Sequence, residues 1–281
     1  MINNRQKVTI NDITFQGAQS YSSIPIVQVI GPNSMFIMKG NASITKSQVN
    51  DVVFLDQSAT LIMRENSSLL NNYASAVYVR SQSNLIMEDN AFIRAMDFSV
   101  ELSDFSSFIM KDNATVSGVN GMLNSIIISG GSEFSMYGGI ISDNNGYAGV
   151  TIRSSSVFNM YGGMITGNSS LAGGGVSVTM YSIFNMYGGV IKNNDALYYD
   201  GGIYVGHAST FTMYGGTIYG SEESGIPTDL ANAAYDFGSA LYVGGLGAKA
   251  LYGDNVNILP HIDGFDDYTD FTISVPTASR R

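Results

Sequence analysis

The most regular feature of the chain is a Phe or Leu followed two positions later by methionine. Successive methionines of this kind lie 23 to 27 residues apart. The pairs are Phe36/Met38, Leu61/Met63, Leu85/Met87, Phe108/Met110, Phe134/Met136, Phe158/Met160, Phe184/Met186 and Phe211/Met213. Because residues two apart in a strand point to the same side, each pair predicts a short strand with both side chains buried.

Two further apolar segments accompany each of these pairs. An alternating pair ends eight residues before seven of the methionines: Val53/Leu55, Val77/Val79, Val100/Leu102, Ile126/Ile128, Val150/Ile152, Val176/Val178 and Ile203/Val205. A single apolar residue follows each methionine by five or six positions: Ile44, Leu69, Ile93, Val116, Ile141, Ile165, Ile191 and Ile218. Three short strands in a fixed order within about 25 residues are typical of one coil of a parallel β-helix.

The sequence therefore predicts an all-β fold, a right-handed parallel β-helix (solenoid) of about ten coils with three strands per coil. Each strand would pair with its equivalent in the next coil, about 4.8 Å along the axis. We expect an N-terminal cap over 1–26, regular coils over 27–220, and an insertion, degenerate final coils and a C-terminal cap over 221–281. No helical periodicity of adequate length competes with this prediction.

The corners of the coils are predicted from Asn and Gly. Three residues after the methionine, early coils carry Asn and later coils carry Gly: Asn41, Asn66, Asn90 and Asn113, then Gly139, Gly163, Gly189 and Gly216. Both residue types tolerate left-handed backbone, so we predict one turn made in two ways, with the Asn amides hydrogen-bonded as a ladder. Asn41, Asn66, Asn113 and Asn168 also fit the N-x-S/T glycosylation pattern. We favour the turn and the ladder over glycosylation.

Composition narrows the classes of function. The chain carries 13 Lys and Arg against 23 Asp and Glu, which disfavours nucleic acid as a partner because phosphate binding needs clustered cations. It has no Cys and two His, which excludes thiolate chemistry and disfavours a multi-histidine metal site or a His-based triad. No run of 18 apolar residues is present, so no membrane-spanning helix is expected. We expect no cofactor. The 32 glycines beside 44% apolar residues indicate a repeat rather than a disordered linker.

The second half of the chain resembles a known repeat. The segments are FSMYGGIISDN, FNMYGGMITGN, FNMYGGVIKNN and FTMYGGTIYGS, alternating with AGVTI, GGGVSV and GGIYV. They resemble the right-handed parallel β-helix repeats of bacterial cell-surface proteins, which share the superfold of adhesin-like and pectate-lyase-like proteins. The resemblance is close over about 126–243, whereas 27–125 match only in spacing. It implies an extracellular or cell-surface location, with signal and anchor outside this chain, and no catalytic residues.

Outward positions supply the candidate binding residues. The residue after methionine is tyrosine in four consecutive coils: Tyr137, Tyr161, Tyr187 and Tyr214. Such a ladder is a platform for sugar rings or half of a protein interface, although we favour the simpler interpretation that the tyrosines only cover the sheet. Binding would use this ladder and the variable loops 142–149, 166–174 and 192–201, which absorb the insertions between coils. In the longest of these, Tyr198, Tyr199 and Asp200, with His207 nearby, are the best candidates for ligand contact.

Two other groups of residues are candidates for interface or metal-binding roles. Between Phe or Leu and Met, the first half carries an outward stripe: Ile37, Ile62, Ile86 and Ile109. Soluble proteins usually cover such a stripe, here by the N-terminal segment, a further domain or another chain. An acidic cluster, Asp263, Asp266, Asp267 and Asp270, is interpreted as a solvated cap, with a weak calcium site as the alternative.

These observations together predict a non-enzymatic, extracellular adhesin-type module that displays a rigid rod for binding glycans or host and surface proteins. The chain would be a monomer or would self-associate through a face of the β-helix. One alternative is a polysaccharide lyase or glycoside hydrolase of the same fold, but the carboxylates are scattered around the coil rather than converging on one face. The other alternative is a segment of a trimeric phage or injection fibre, with the isoleucine stripe as its seam.

Overall fold

The computed structural model describes residues 1–17, 23–48, 51–72, 75–95, 98–118, 125–199, 201–220, 230–234, 240–244, 246–252 and 257–258. Over these residues the chain is a parallel β-solenoid with three long parallel sheets and no helix. The predicted fold class is confirmed, with three strands per coil in the predicted order.

Sheet A contains the first alternating apolar segment of each coil and has nine strands. Its strands are Val27–Ile30, Asp51–Asp56, Ser75–Val79, Val100–Leu102, Ile126–Ile128, Val150–Ile152, Val176–Val178, Ile203–Val205 and Leu241–Val243.

Sheet B contains the methionine segments and has ten strands. Its strands are Lys7–Asn11, Met35–Lys39, Thr60–Met63, Asn84–Met87, Ser107–Met110, Glu133–Met136, Val157–Met160, Ile183–Met186, Thr210–Met213 and Lys249–Tyr252.

Sheet C contains the single apolar positions and also has ten strands. Its strands are Thr14–Gln16, Ser43–Thr45, Ser68–Asn72, Phe92–Ala95, Thr115–Ser117, Ile140–Ser142, Met164–Thr166, Val190–Lys192, Thr217–Ile218 and Asn257–Ile258.

Equivalent residues of successive coils pair in register. Phe134 pairs with Phe158 and Met136 pairs with Met160, and the same holds along sheet B. The regular part makes about seven turns of roughly 26 residues, fewer than the ten expected. Strands of less regular coils at both ends extend sheets B and C to ten strands each.

The interior consists of columns of like side chains. The predicted inward Phe, Leu and Met positions of sheet B are buried, and so are the predicted inward positions of sheets A and C. Five phenylalanines stack with ring centroids 4.5 to 5.1 Å apart: Phe108, Phe134, Phe158, Phe184 and Phe211. Identical residues in register bring identical shapes together at the strand spacing, so the core packs without alternating large and small residues.

A buried asparagine ladder lies inside the corner between sheet C and the variable loops. Its members are Asn144, Asn168, Asn194 and Asn232. The Nδ2 of each of the first three donates to the Oδ1 of the next at 2.8 to 3.0 Å. The same amides of Asn168 and Asn194 also donate to backbone carbonyls of their own and the preceding coil. The Oδ1 atoms of the ladder also accept the buried backbone N–H groups of Asn144, Asn168 and Asn194, so the ladder supplies partners to buried backbone donors at this corner.

The burial of Asn168 also bears on glycosylation, because a side chain buried in the solenoid cannot carry a glycan on the folded chain. The ladder predicted at the outer corner is present as well. Asn66, Asn90 and Asn113 each donate to the asparagine of the preceding coil at 3.2 to 3.4 Å, and all three are exposed.

The predicted backbone of that outer corner is wrong for the first half. The left-handed residue is the one before each asparagine, namely Glu65, Asp89 and Asp112, with φ of 54 to 58°. In the second half Gly163 and its equivalents do adopt positive φ, 88 to 99°. Each acidic carboxylate accepts a backbone N–H of the preceding coil, as in Glu65 N to Asp89 Oδ2 at 2.9 Å. This hydrogen bond offsets the cost of left-handed backbone, so the two halves turn at different positions.

Candidate functional site

The four predicted tyrosines form a continuous ladder at the edge of sheet B. Neighbouring rings are parallel within 8°, and their centroids are 4.7 to 4.9 Å apart along the series Tyr137, Tyr161, Tyr187 and Tyr214. All four side chains are exposed to a similar extent. The structure thus brings together the main set of sequence-predicted site residues.

The stacking of the rings determines which atoms of each tyrosine a ligand can contact. Two parallel rings lying side by side in one plane would clash at this separation, so the rings stack face to face. The faces of the two inner rings, Tyr161 and Tyr187, are therefore directed at their neighbours, and the open parts are ring edges and hydroxyls. Burial, followed by the neighbouring Tyr214 and Tyr161, raises the pKa of Tyr187 above the ordinary tyrosine value. A platform in which every ring stacks on its own sugar does not fit this geometry.

The glycines after each tyrosine set the spacing of the ladder. The backbone N–H of Tyr161 donates to the Met136 carbonyl at 2.8 Å, and the Gly162 N–H donates to the same oxygen at 3.3 Å. A Cβ on Gly162 would lie 2.7 Å from the Tyr137 carbonyl oxygen. Only glycine therefore permits the coils to approach closely enough at this corner for the rings to stack.

A polar strip runs beside the ladder on the outer face of sheet B. Asn159 lies two residues before Tyr161 and so faces the same side. Its Nδ2 donates to Glu133 Oε1 at 2.9 Å, and Asn185 Nδ2 donates to Asn159 Oδ1 at 2.9 Å. Amide and carboxylate groups thus continue the row of phenol hydroxyls toward the middle of the sheet.

Beyond the glycine corner, sheet C presents the apolar side chains Ile140, Met164 and Val190 in register. Ile140 is exposed, and the other two are partly exposed. The tyrosine ladder therefore separates a polar strip from an apolar one.

The isoleucine stripe is present and in register across four coils of sheet B. Ile37 is buried, whereas Ile62, Ile86 and Ile109 are partly exposed. Residues 1–17 do not cover the stripe, because Lys7–Asn11 pairs with the edge of Met35–Lys39 instead of crossing the sheet. An ion pair between Lys111 Nζ and Glu88 Oε2, 3.4 Å apart, borders the stripe.

The loop grouping around Tyr198 is only partly described. Tyr198 is exposed, and Tyr199 ends the strand Asp195–Tyr199, whereas Asp200 lies outside the described residues. His207 is not beside this loop, because the strand Ile203–Val205 separates them. The imidazole instead contacts the Tyr181 ring edge-on at 5.5 Å, at the corner between sheets A and B.

The sequence did not reveal a fourth sheet, which the variable loops form. The strands Ser169–Ala172, Asp195–Tyr199 and Ala233–Ala234 pair in parallel, and Asn145 bridges to Ser169. This loop sheet exposes large apolar side chains from successive coils: Tyr147, Leu171 and Leu197. The loops differ in length and sequence, so no repeat indicated that they pair.

Three carboxylates with altered pKa lie on sheet A. Burial raises the pKa of Asp51, against a hydrogen bond from Ser75. Burial also raises the pKa of Glu101, against the attraction of Arg153. Asp56 differs, because its hydrogen bonds with Arg80 and Ser81 outweigh burial and lower its pKa; the Arg80 Nη2 to Asp56 Oδ2 distance is 3.0 Å.

Because the pKa of Glu101 is raised, replacing this residue with a neutral one should stabilise the fold, and the size of the effect should depend on pH. The folded chain holds the proton more tightly than the unfolded chain, so stability falls as pH rises through the interval between the two pKa values. Glu101→Gln should raise the thermal unfolding midpoint at pH 7 by about 2 °C, and the gain should vanish below the ordinary glutamate range. Differential scanning fluorimetry from pH 3 to 8 measures this.

Asp56→Asn is the matched control, since its carboxyl has a lowered pKa and an ion pair. It should lower the midpoint at pH 7, with the difference closing as pH falls. A Glu101→Gln variant less stable than the parent at pH 7 would contradict the assignment.

The remaining predictions concern metal binding and membrane-spanning helices. The acidic cluster Asp263, Asp266, Asp267 and Asp270 falls outside the described residues. Within the ranges that the structure describes, no three His, Asp or Glu residues are grouped to hold a metal ion. In the same ranges, no helix has the length and apolar character needed to cross a bilayer.

Comparisons with protein-family models, with curated proteins and with solved structures returned no significant match. The parallel β-solenoid is therefore established from the coordinates alone, and the resemblance to bacterial surface repeats remains a resemblance of motifs.

Proposed function

We propose that this chain is a non-enzymatic binding module of the surface-display or adhesin type, and that its ligand is an extended glycan. The observation that supports this is the tyrosine ladder with its adjoining polar strip. Phenol hydroxyls recur there once per coil along four coils, and the strip carries amides in the two inner coils, Asn159 and Asn185, with Ser135 and Thr212 in register at its ends. A repeating surface of this kind fits a polymer whose own groups repeat along one axis.

The chemistry of the strip favours a carbohydrate. A tyrosine hydroxyl both donates and accepts a hydrogen bond, and the amide of an asparagine does the same with its two ends. Sugar hydroxyls have this dual character. Because the inner ring faces stack on one another, the proposed contacts are hydrogen bonds to hydroxyls and amides, with ring edges and the apolar strip of Ile140 excluding water.

The location is also a proposal. It rests on the resemblance of the FNMYGG-type repeats to those of bacterial cell-surface β-helix proteins. The in-register stack of coils is consistent with display, since it holds the four tyrosines at a nearly constant spacing.

The ladder predicts a specific loss of binding. In the double variant Tyr161→Ala/Tyr187→Ala, glycan affinity should fall at least about tenfold, because two rungs of hydrogen-bonding groups are removed. Tyr161→Phe/Tyr187→Phe should lose most of the same affinity, since it removes only the hydroxyls. A glycan array identifies the ligand, and isothermal calorimetry measures the affinity.

Tyr181→Ala is the matched control, an exposed tyrosine at a different corner, and should bind as the parent does. Thermal unfolding checks each fold. Parent-like glycan binding by the folded double-alanine variant would overturn the assignment of the tyrosine ladder as the binding site. Full binding by the double-phenylalanine variant would show that the rings, and not the hydroxyls, contact the glycan. Release of reducing or unsaturated sugar ends by the parent would favour the enzyme alternative.

A further inference from the structure

The tyrosine ladder is one of three parallel columns of side chains on the outer face of sheet B. Side chains two and four residues before each tyrosine face the same side of the strand. The column two residues before is polar and partly exposed in three coils: Ser135, Asn159 and Asn185. The column four residues before includes two apolar side chains in register, Val157 and Ile183. The polar column therefore lies between the phenol rings and an apolar edge.

The columns repeat once per coil, and the rings of the ladder repeat at 4.7 to 4.9 Å. A six-membered sugar linked through equatorial oxygens at C1 and C4 lengthens an extended chain by about one strand spacing. A straight chain of such sugars therefore stays in register with successive coils. A helical or branched chain loses this register.

Each open coil offers hydrogen-bonding groups that suit sugar hydroxyls. Asn159 uses one N–H on Glu133 and Asn185 uses one on Asn159, so each amide keeps a second N–H for a ligand. The phenol hydroxyls of the ladder both donate and accept. Thr212, which continues the polar column in the fourth coil, is only 6% exposed. The polar column is therefore open in three coils, whereas the ladder has four rungs.

The charge on this face disfavours an acidic ligand. Among the described residues of the three columns, Glu133 is the one with a charged side chain, and its Oε1 accepts from Asn159 at 2.9 Å and from Ser135 at 3.3 Å. Lys111 precedes the ladder by one coil and is ion-paired with Glu88. An acidic group on each sugar would meet a carboxylate at one end of this face and no cation along it.

We infer that the ligand is a neutral, unbranched glycan with an extended backbone, bound parallel to the solenoid axis with one sugar in each coil. This inference rests on the proposed function and specifies the class of glycan. The sugars lie along the polar column, where the second N–H groups of Asn159 and Asn185 and the phenol hydroxyls bind their hydroxyls. Val157 and Ile183 contact the opposite edge of the chain of sugars.

A series of oligosaccharides of increasing length tests the register. The probes are β-1,4-linked glucose oligomers of one to six sugars, with affinities from isothermal calorimetry. The affinity should rise at least about threefold with each sugar up to the third, because each adds hydrogen bonds in a further coil. It should change by less than about twofold beyond the fourth sugar. Affinity that is independent of length would overturn the one-sugar-per-coil register.

Matched ligands test the shape and the charge of the glycan. Oligomers of α-1,4-linked glucose have the same sugars in a curved chain, and oligomers of β-1,4-linked glucuronic acid have the same linkage with a carboxylate on each sugar. Both should bind at least about tenfold more weakly than the β-1,4-linked glucose tetramer. Equal or tighter binding of either series, or a glycan array in which only branched or acidic glycans bind, would overturn the inference.

The double variant Asn159→Ala/Asn185→Ala tests the placement of the sugars. It should bind the β-1,4-linked glucose tetramer about tenfold more weakly than the parent. The matched control is Asn66→Ala/Asn90→Ala, because these amides are hydrogen-bonded to each other at the exposed corner of the first half, and it should bind as the parent does. Parent-like affinity of the folded Asn159→Ala/Asn185→Ala variant would overturn the placement.

The length and charge series use the parent chain, so they test the inference even if the double variant fails to fold. Thermal unfolding checks the fold of each variant. Loss of glycan binding in the tyrosine variants without the expected dependence on length, shape and charge would overturn this inference and leave the proposed function standing. Absence of glycan binding by the parent would overturn both.

Discussion

Asn168→Leu is expected to lower the free energy of unfolding by about 4 kcal/mol. The Asn168 amide donates to Asn194 Oδ1 at 2.8 Å and to the Ile141 and Thr166 carbonyls at 3.2 Å. Its Oδ1 accepts from Asn144 Nδ2 at 2.8 Å. Leucine has the same branching at Cγ but is larger, and it neither donates nor accepts. Buried polar groups of three coils therefore lose this partner, and the bulkier side chain adds a packing cost.

Urea unfolding followed by circular dichroism measures the effect. Asn66→Leu is the matched control, because it removes a member of the exposed ladder, where water replaces the lost hydrogen bonds. We expect a change within about 1 kcal/mol there. Equal losses in the two variants would show that burial of the inner ladder does not determine its contribution.

Gly163→Ala should destabilise the chain by about 3 kcal/mol. Gly163 has φ of 88°, which strains any side chain, and an added Cβ would lie 2.5 Å from Met136 Cε and 2.7 Å from the Gly139 carbonyl oxygen. The carbonyl belongs to the neighbouring coil, so the two coils would have to separate. The ladder contact between Tyr137 and Tyr161 should weaken with them.

Gly31→Ala separates the two causes of this loss. Gly31 has a similar φ of 97°, but the nearest atom to its added Cβ is Ser34 Oγ at 3.7 Å. This variant should therefore show only the conformational cost, about 1 kcal/mol. Thermal unfolding of both variants gives the difference, and a Gly31→Ala loss as large as that of Gly163→Ala would contradict the steric explanation.

The core could be predicted in detail because the buried positions recur at fixed offsets from coil to coil. A residue such as Phe158 recurs at fixed offsets from its equivalents, and period-two alternation assigns it to the inside. The tyrosine ladder could be predicted for the same reason. Its stacking could not, because the orientation of the rings depends on the closeness of the coils at Gly162 and on side-chain rotation.

Positions without a constant repeat environment were predicted less well. At the early corners of the coils the left-handed residue is acidic and is not the asparagine. The reason is that its carboxylate accepts a backbone N–H of the preceding coil, as Asp89 does from Glu65. Asn168 matched a surface glycosylation pattern but is buried, since the loop following it folds into a fourth sheet. Both outcomes depend on contacts about 24 to 26 residues away in sequence.

The sequence by itself determined the coil period, the three strands, the inward columns and the alignment of the tyrosines, because strand alternation and repetition are properties of residue order. Only the tertiary structure decided that the inner tyrosine faces stack on one another, that Asn168 lies inside, and that the loops pair. These features depend on how closely one coil approaches the next. Residue order within a single repeat does not contain that information.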